Sequence, residues 1–553
     1  MDTRPTPRAA VSDHNARERS AQTRVYLIGG GIASMAAAAF LIRDGDVRGC
    51  DITILEETDR LGGSLDGAGS AEEGYVLRGG RMLESKYLCT FDLFDSIPTL
   101  DGRTTVTQEI MDWNKTMRTS SKSRLVREGA RQVDPEFGLS EWHILTLERL
   151  AIEPEVVLGK TCIADQFDSS FFATNFWKMW CSTFAFQPWH SAVEFKRYLV
   201  RFVHMISGFS RLEGIMRTVY NQYDSMVRPL QHWLEDRGVI FALDTRVTDL
   251  GMTERGNSNV VERIFCDRAG GSFEIAIGEG DLVLVTLGSM TEGSRLGTMI
   301  AAPETASKSD GGAWRLWEKI AAGRPEFGHP SAFDGDVEKS KWTSFTITLH
   351  DPTFLRLVRD FTGNVPGEGG LITFPESNWL ASIVIPHQPH FIGQPEGVGV
   401  CWGYGLTVDA PGNFVTKPMS ACSGREIMIE IMGHLGIGRE ALSIIESSIC
   451  IPCMMPFITS QFMPRVHGDR PSVIPERSHN LAVIGQYCEL PDDVVFTVEY
   501  SIRSAQTAVY SLLGLDRKAP AVYKGKFDAL VLAKAFMALH GADTPGRNRV
   551  LID

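Results

Sequence analysis

Val25-Tyr26-Leu27-Ile28-Gly29-Gly30-Gly31-Ile32-Ala33-Ser34-Met35-Ala36 is the stretch that decides the fold of this chain. Its first four residues are apolar and suit a buried parallel strand. Gly29 to Ser34 then matches G-x-G-x-x-small, and the Ala-rich run from Met35 to Ile42 reads as a helix stopped by Arg43-Asp44-Gly45. A second strand, Asp51 to Leu55, ends in Glu56, 22 residues after Ser34. The order has a physical reason. Glycines let the backbone turn tightly and approach a pyrophosphate, the helix N-terminus faces its charge, and a carboxylate receives the ribose hydroxyls. A glycine motif alone is weak, but strand, turn, helix, strand and acid stand here in register. Val25 to Ile42 carries no charge, yet a membrane span would place three glycines mid-helix, so the stretch reads as a dinucleotide-binding unit.

The continuation favours FAD over NAD. Glu56-Glu57-Thr58-Asp59-Arg60-Leu61-Gly62-Gly63-Ser64 supplies a basic residue and a glycine turn after the acid, and Leu77-Arg78-Gly79-Gly80-Arg81 supplies glycines that let backbone approach a ring system. These pieces resemble the large FAD-containing oxidoreductases of glutathione-reductase-like fold, amine oxidases and carotenoid desaturases included. Asp281 to Ser289 looks like a returning strand, as does Leu481 to Gln486 before a helical stretch around Ser501 to Leu513. The expected fold is α/β: a discontinuous FAD-binding Rossmann-like domain, a mixed α+β substrate domain and a helical C-terminus. The flavin domain takes residues 24–100, 230–300 and 475–512, and the substrate domain 101–229 and 301–474. Residues 1–23 read as a disordered polar tail and 513–553 as a C-terminal helical region.

Composition bounds the function. The 553 residues suggest three to four domains, and an apolar fraction of 43% supports a large core. A net charge of −13 argues against nucleic-acid binding by bulk positive charge. The N-terminus lacks an apolar h-region, and ten scattered cysteines fit a reducing, cytoplasmic compartment. Cys450-Ile451-Pro452-Cys453 alone has CxxC spacing, and no partner pair completes a metal site, so two buried free thiols are expected there. Gly433 to Gly438 lacks a preceding strand, and Gly159-Lys160-Thr161 lacks the first glycine of a phosphate loop. A second nucleotide domain, a metalloprotease and an α/β-hydrolase are not expected.

Three other stretches stand out. Nine aromatics lie between Phe167 and Trp189, either as core packing or as a wall for a long apolar ligand. Arg217 to Ser225 reads as a polar helix start capped by Asn221 or Asp224. Lys526 to His540 has helical apolar spacing, which suits docking onto the domain or peripheral membrane contact.

Several long motifs resemble the oleate hydratases, also called myosin-cross-reactive antigens. They are Gly29 to Ala36, Arg78-Gly79-Gly80-Arg81, Arg217 to Ser225 and Thr286-Leu287-Gly288-Ser289-Met290-Thr291. Cys401 to Leu406, Lys417-Pro418-Met419, Phe462-Met463-Pro464-Arg465 and Pro491 to Ser501 add to them, so the likeness runs from Val25 to Tyr510. The resemblance implies an FAD-dependent, non-redox hydration of the cis-9 double bond of a free unsaturated long-chain fatty acid, oleate giving 10-hydroxystearate. It implies Tyr220 as the proton donor. Members are often homodimers, and the reading admits a monomer or a homodimer. The cofactor-binding set is Gly29, Gly31, Ala33, Ser34, Glu56, Glu57, Gly63, Ser64, Arg78, Gly79, Gly80, Arg81, Val247, Thr286, Ser289, Phe496 and Ser501.

Two positions depart from the family. Its usual Arg-Gly-Gly-Arg-Glu ends in a glutamate assigned to activating water; here Met82 follows Arg81, and Glu84 is the candidate substitute. The usual Thr-x-Asn-x-x-Pro-His, assigned to the fatty-acid carboxylate, reads Val384 to His390, leaving Gln388 and His390 as candidate donors beside Asn221. The alternatives are a flavin oxidoreductase of amine-oxidase or desaturase type and a non-catalytic fatty-acid or flavin binder.

Overall fold

The computed structural model describes residues 23–80, 82–304 and 311–541. The polar tail, but for Thr23, and the cofactor candidate Arg81 lie outside them. Five parallel strands form one sheet, in the order Leu481–Ile484, Leu282–Thr286, Val25–Ile28, Ile52–Leu55 and Ile240–Ala242. Val25–Ile28 lies at the centre, with Val25 level with Leu282 on one side and Ile52 on the other. This is the Rossmann-type order, and three separated chain segments supply it. The edge strand Ile240–Ala242 is apolar in sequence but exposed or partly exposed at each residue.

The glycine turn opens a helix, Ile32–Arg43, buried at every residue from Ile32 to Leu41. Burial on all sides explains a composition that shows no polar stripe. The helix is sandwiched between the sheet and the helix Val498–Leu512, and its alanines let both approach. An antiparallel meander of three strands, Arg246–Arg255, Ser258–Arg268 and Gly271–Ala276, fills the chain between the edge strand and Leu282–Thr286.

A second, mixed sheet of eight strands forms the floor of the other half. Its strand Trp342–Leu349 is buried along its whole length between Ser448–Met455 and Gly399–Gly405. The two halves are stitched by the hairpin Gly67–Ser70 and Gly74–Leu77. There the Tyr75 and Leu77 amides donate to Thr348 Oγ1 and Thr346 Oγ1 at 2.8 and 2.9 Å. The hairpin leads directly into Arg78-Gly79-Gly80, so this seam places those residues.

The aromatic run is core. Phe167, Phe171, Phe176, Trp177, Trp180 and Phe186 are buried, packing on one another and on Phe195 and Phe209. Gly436 caps the helix Gly424–Leu435 in the left-handed region, and Gly159 ends the turn Glu155–Leu158, so neither glycine motif is a phosphate loop. Cys450 and Cys453 are buried free thiols on one strand, and burial pushes Cys453 up to about 12. The C-terminal helix Ala529–Leu539 packs on Val203–Arg211, leaving Phe527, Leu530 and Phe536 exposed. Among the described residues no helix is long and apolar enough to cross a membrane.

A buried ion cluster ties together two distant segments of the chain. Glu194 accepts from Arg465 Nε at 2.8 Å and Arg470 Nη1 at 2.9 Å, all three side chains being 4% exposed or less. Burial alone would raise the Glu194 carboxyl, but Arg470, Arg465 and Arg197 outweigh it and hold it at about 2. The stabilisation is complete above the ordinary carboxyl range and is lost as pH falls toward 2. Glu194→Gln strands these guanidiniums and should cost about 3–5 kcal/mol. Calorimetry at neutral pH checks this, and an unchanged Tm would show that the cluster contributes nothing.

Candidate functional site

The glycine turn sits at the C-terminal edge of the parallel sheet and is held from three sides. Gly29 adopts φ +92°, and a Cβ there would meet Thr286 Oγ1 at 2.1 Å. That hydroxyl donates to Ile28 O at 2.7 Å, so the returning strand buttresses the turn. From the second strand Glu56 accepts from the Gly30 amide, and from Thr58 N and Oγ1 at 2.9 and 2.7 Å. Gly62 N–H donates to Gly30 O at 2.9 Å, and Gly63, at φ +57°, lies so close that a Cβ on it would come 3.1 Å from Gly31 Cα. Only glycine permits that approach at Gly29 and Gly63.

Around this turn lies a cavity of about 640 Å³. Gly29, Gly31, Ala33, Glu56, Glu57, Gly63, Ser64, Arg78, Val247, Thr286, Ser289 and Ser501 all border it. Arg78 is fixed by Asp66 at 2.9 Å and by Gly63 O at 2.8 Å. Ser34 lies beneath the turn, fully buried, and Phe496 lies behind Gln486, to which its amide donates. Gln486 was not among the sequence candidates. It borders the cavity and donates to Thr497 O and Ser501 Oγ, joining the last sheet strand to the helix that follows.

Glu292 is a second unforeseen wall residue, one position beyond the quoted Thr286 to Thr291 motif. It accepts from the Ala313 amide at 2.9 Å, while Oε1 is buried without a partner. Burial, then the charge of Glu57, pushes its carboxyl up to about 7.

A smaller cavity of about 50 Å³ abuts the first, and Asp66 borders both. Gly79 and Gly80 form one part of its wall, and Arg217, Thr218, Asn221, Gln222, His387 and His390 another. Trp402 packs on Gly80 so closely that a Cβ there would fall 2.6 Å from its ring. The Arg217 to Ser225 segment begins as an irregular turn and enters a π-helical turn at Tyr223–Val227. Asn221 caps it, accepting from Asp224 N at 3.0 Å and donating to Asp224 Oδ2 and His390 O. Tyr220 lies half-buried between Thr218 and Asn221, its amide donating to Ser225 Oγ and its carbonyl accepting from Thr218 Oγ1.

The other chemical candidates are placed as follows. Met82 is half-buried against the core and borders neither cavity. Glu84 is buried elsewhere, 2.8 Å from Arg201 Nη2 and 3.4 Å from His204 Nε2. Burial raises its carboxyl, but His204 and Arg201 outweigh that and hold it below the usual range. Gln388 is saturated: its amide donates to Pro386 O and Val400 O, and its oxygen accepts from Val400 N and Gln394. His390 borders the smaller cavity with Nδ1 unpartnered, and burial followed by the Arg217 charge pushes it down to about 3. None of the nine Phe167 to Trp189 aromatics borders either cavity.

Residues 22–510 match the MCRA family. The chain is 40% identical to an oleate hydratase of Streptococcus pyogenes serotype M49 (strain NZ131), over 94% of this chain and 90% of that protein. It is 32% identical to a linoleate hydratase of Lactiplantibacillus plantarum, over 89% and 94% respectively. Among solved structures, cyclohexylamine oxidase from Brevibacterium oxydans IH-35A matches with a TM-score of 0.52 at 12% identity, over 90% of this chain and 100% of that one. At that identity the likeness carries the fold alone.

The Glu292 carboxyl gives the apo-protein a pH signature. Its folded value lies above the unfolded 4.5, so folding binds a proton and stability falls as pH rises from 4.5 to about 7. The loss is about 1.4 kcal/mol per pH unit across that window. Glu292→Gln should therefore raise the apo Tm at pH 8 and leave it unchanged at pH 4.5. Thermal melts at the two pH values decide this; equal shifts at both would refute it.

Proposed function

The chain belongs to the MCRA family, and we propose that it adds water to the cis-9 double bond of unsaturated free fatty acids, turning oleate into 10-hydroxystearate with no net redox. It is a fatty-acid hydratase, a hydro-lyase. The observation that supports the reaction is the junction at Asp66. There the large cavity around the glycine turn meets a small one walled by the segment that carries Tyr220.

FAD is the cofactor this reading assigns to the larger cavity. Its volume falls within the roughly 300–1,000 Å³ of cofactor sites, and the close approach at Gly29 and Gly63 suits backbone against pyrophosphate. Glu56 and Glu57 would hold the ribose end, and Ser289, Gln486 and Ser501 the returning side. Bound there, FAD supplies an electron-rich ring face that stabilises positive charge on an alkene.

Hydration needs a proton at one alkene carbon and water at the other. Tyr220 donates the proton; among the described residues its hydroxyl has no hydrogen-bond partner to compete. The thioether of Met82 cannot take a proton from water, and Glu84 is committed to Arg201 and His204. Water is therefore held by backbone groups rather than by a carboxylate base, and the proton it sheds on adding to carbon restores the Tyr220 phenol, so the step balances. The reaction takes place in the cytoplasm.

Purified protein supplied with FAD and oleate, oxidised or anaerobically reduced, should yield 10-hydroxystearate by mass spectrometry. Tyr220→Phe should lose about 100-fold or more in turnover while still binding FAD. Unchanged turnover in that variant would remove Tyr220 as the acid, and oleate returned intact by the parent protein would remove the reaction.

A further inference from the structure

We propose that Arg217 is the anchor for the fatty-acid carboxylate, taking the place of the threonine and asparagine that this chain lacks at Val384 and Pro386. The identity of the acid rests on the hydratase reading, whereas the site's demand for an anion does not.

Arg217 follows the short strand Ile215–Met216 and is pinned through its backbone to the helix Val106–Thr116. Its amide donates to Asn114 Oδ1 at 3.0 Å, and its carbonyl accepts from Asn114 Nδ2 at 2.8 Å. Arg217 borders the smaller cavity, and its guanidinium Nε and Nη2 are buried with no hydrogen-bond partner. Among the described residues no carboxylate pairs with it. The contrast with other buried arginines is sharp. Arg197, Arg201, Arg465, Arg470 and Arg503 each meet a Glu or Asp oxygen at 2.7–2.9 Å. Each of these five guanidiniums has an acid, and Arg124 has carbonyl and hydroxyl acceptors; among the described residues Arg217 has no acid, and its Nε and Nη2 have no acceptor of any kind.

The surroundings sharpen the charge. Burial pushes Arg217 down to about 10, which leaves it cationic at neutral pH. Arg124, also buried without an acid, lies within electrostatic reach and is satisfied by Leu371 O, Met179 O and Thr183 Oγ1 instead. His387 and His390 are both lowered by burial and stay neutral, and the Asp66 charge is answered by Arg78. Among the described residues the wall thus carries one unanswered positive charge. An unpaired buried charge is costly, and a ligand anion removes that cost.

A carboxylate is the anion that fits. A planar fork of N–H donors matches two carboxylate oxygens, and His390 Nδ1 offers a further unpartnered nitrogen on the same wall. The volume of about 50 Å³ is the size of a head group, and the chain with its double bond would extend past Asp66 toward the larger cavity. Gln388 and Asn221 are saturated by their own neighbours, so neither competes for that head group. The ligand class is a free monocarboxylate rather than an ester, alcohol or thioester.

The test uses FAD-loaded protein, calorimetric titration with laurate and with 1-dodecanol, and the variants Arg217→Gln and Arg217→Lys. Laurate has no double bond, so its binding is read independently of turnover. The parent should prefer laurate over dodecanol by about 30-fold or more. Arg217→Gln should lose that preference by weakening laurate alone, and Arg217→Lys should keep part of it. The Tm without fatty acid should rise in Arg217→Gln, because a stranded charge has gone; a merely structural arginine would lower it. Retention of the preference in Arg217→Gln would overturn the proposal. So would a loss of FAD affinity with laurate unchanged, or equal loss of both ligands with a lower Tm. Laurate binding that depends on Arg217 in a protein that leaves oleate unhydrated would uphold the anchor and reject the hydratase reading.

Discussion

The passage of Gly29 across the face of Thr286 is the constraint on which the whole site depends. A hydroxyl that donates to Ile28 O occupies the space where any other residue would place its Cβ. The contact joins residues 258 positions apart, and it exists because parallel strands bring all their C-terminal ends to one edge of the sheet. Glu56 closes the same turn from the second strand, and Gly62 and Gly63 close it from the following loop. Once that edge is set, the Tyr75 and Leu77 amides dock the hairpin onto Thr348 and Thr346. The hairpin in turn delivers Gly79 and Gly80 to the wall between the two cavities.

Charge is distributed by the same logic. Away from the cavities, most buried ions are answered by an opposite charge: Glu194 by Arg465 and Arg470, Asp493 and Glu499 by Arg503, Glu84 by Arg201. At the cavities Arg78 and Asp66 answer each other, but two groups are left over. Glu292 keeps an unpartnered oxygen on the wall of the larger one, and Arg217 keeps two unpartnered nitrogens on the wall of the smaller. Desolvated groups left unpaired are the mark of sites prepared for a ligand.

The flavin half was largely legible from residues. The Val25 to Glu56 unit, both returning strands and the helix after Phe496 are local patterns with fixed spacing, and the sheet assembled them as read. The edge strand Ile240–Ala242 was not singled out, since three residues of an apolar run are too few to tell a strand from any other element. The eight-stranded sheet was missed for another reason. Its neighbours, such as Leu371–Thr373 beside Leu125–Arg127, pair across nearly 250 residues, and local pattern says nothing of that. The aromatic run is uninformative for a similar reason, because packing and pocket lining use the same residue types. Gln388 and Asn221 looked available in the sequence, and only the neighbours that saturate them show otherwise. Arg217 stood inside a quoted motif, but the lack of an acid beside it is a property of three dimensions.

The central claim is that a flavin-type fold performs a proton-and-water addition rather than an electron transfer. The most direct measurement is a reaction with oleate in heavy water under anaerobic conditions, reading the product by mass spectrometry and the flavin by its absorption spectrum. The account predicts 10-hydroxystearate with one deuterium on carbon, and a flavin spectrum that is the same before and after turnover. Oleate that loses hydrogen while the flavin bleaches would contradict it.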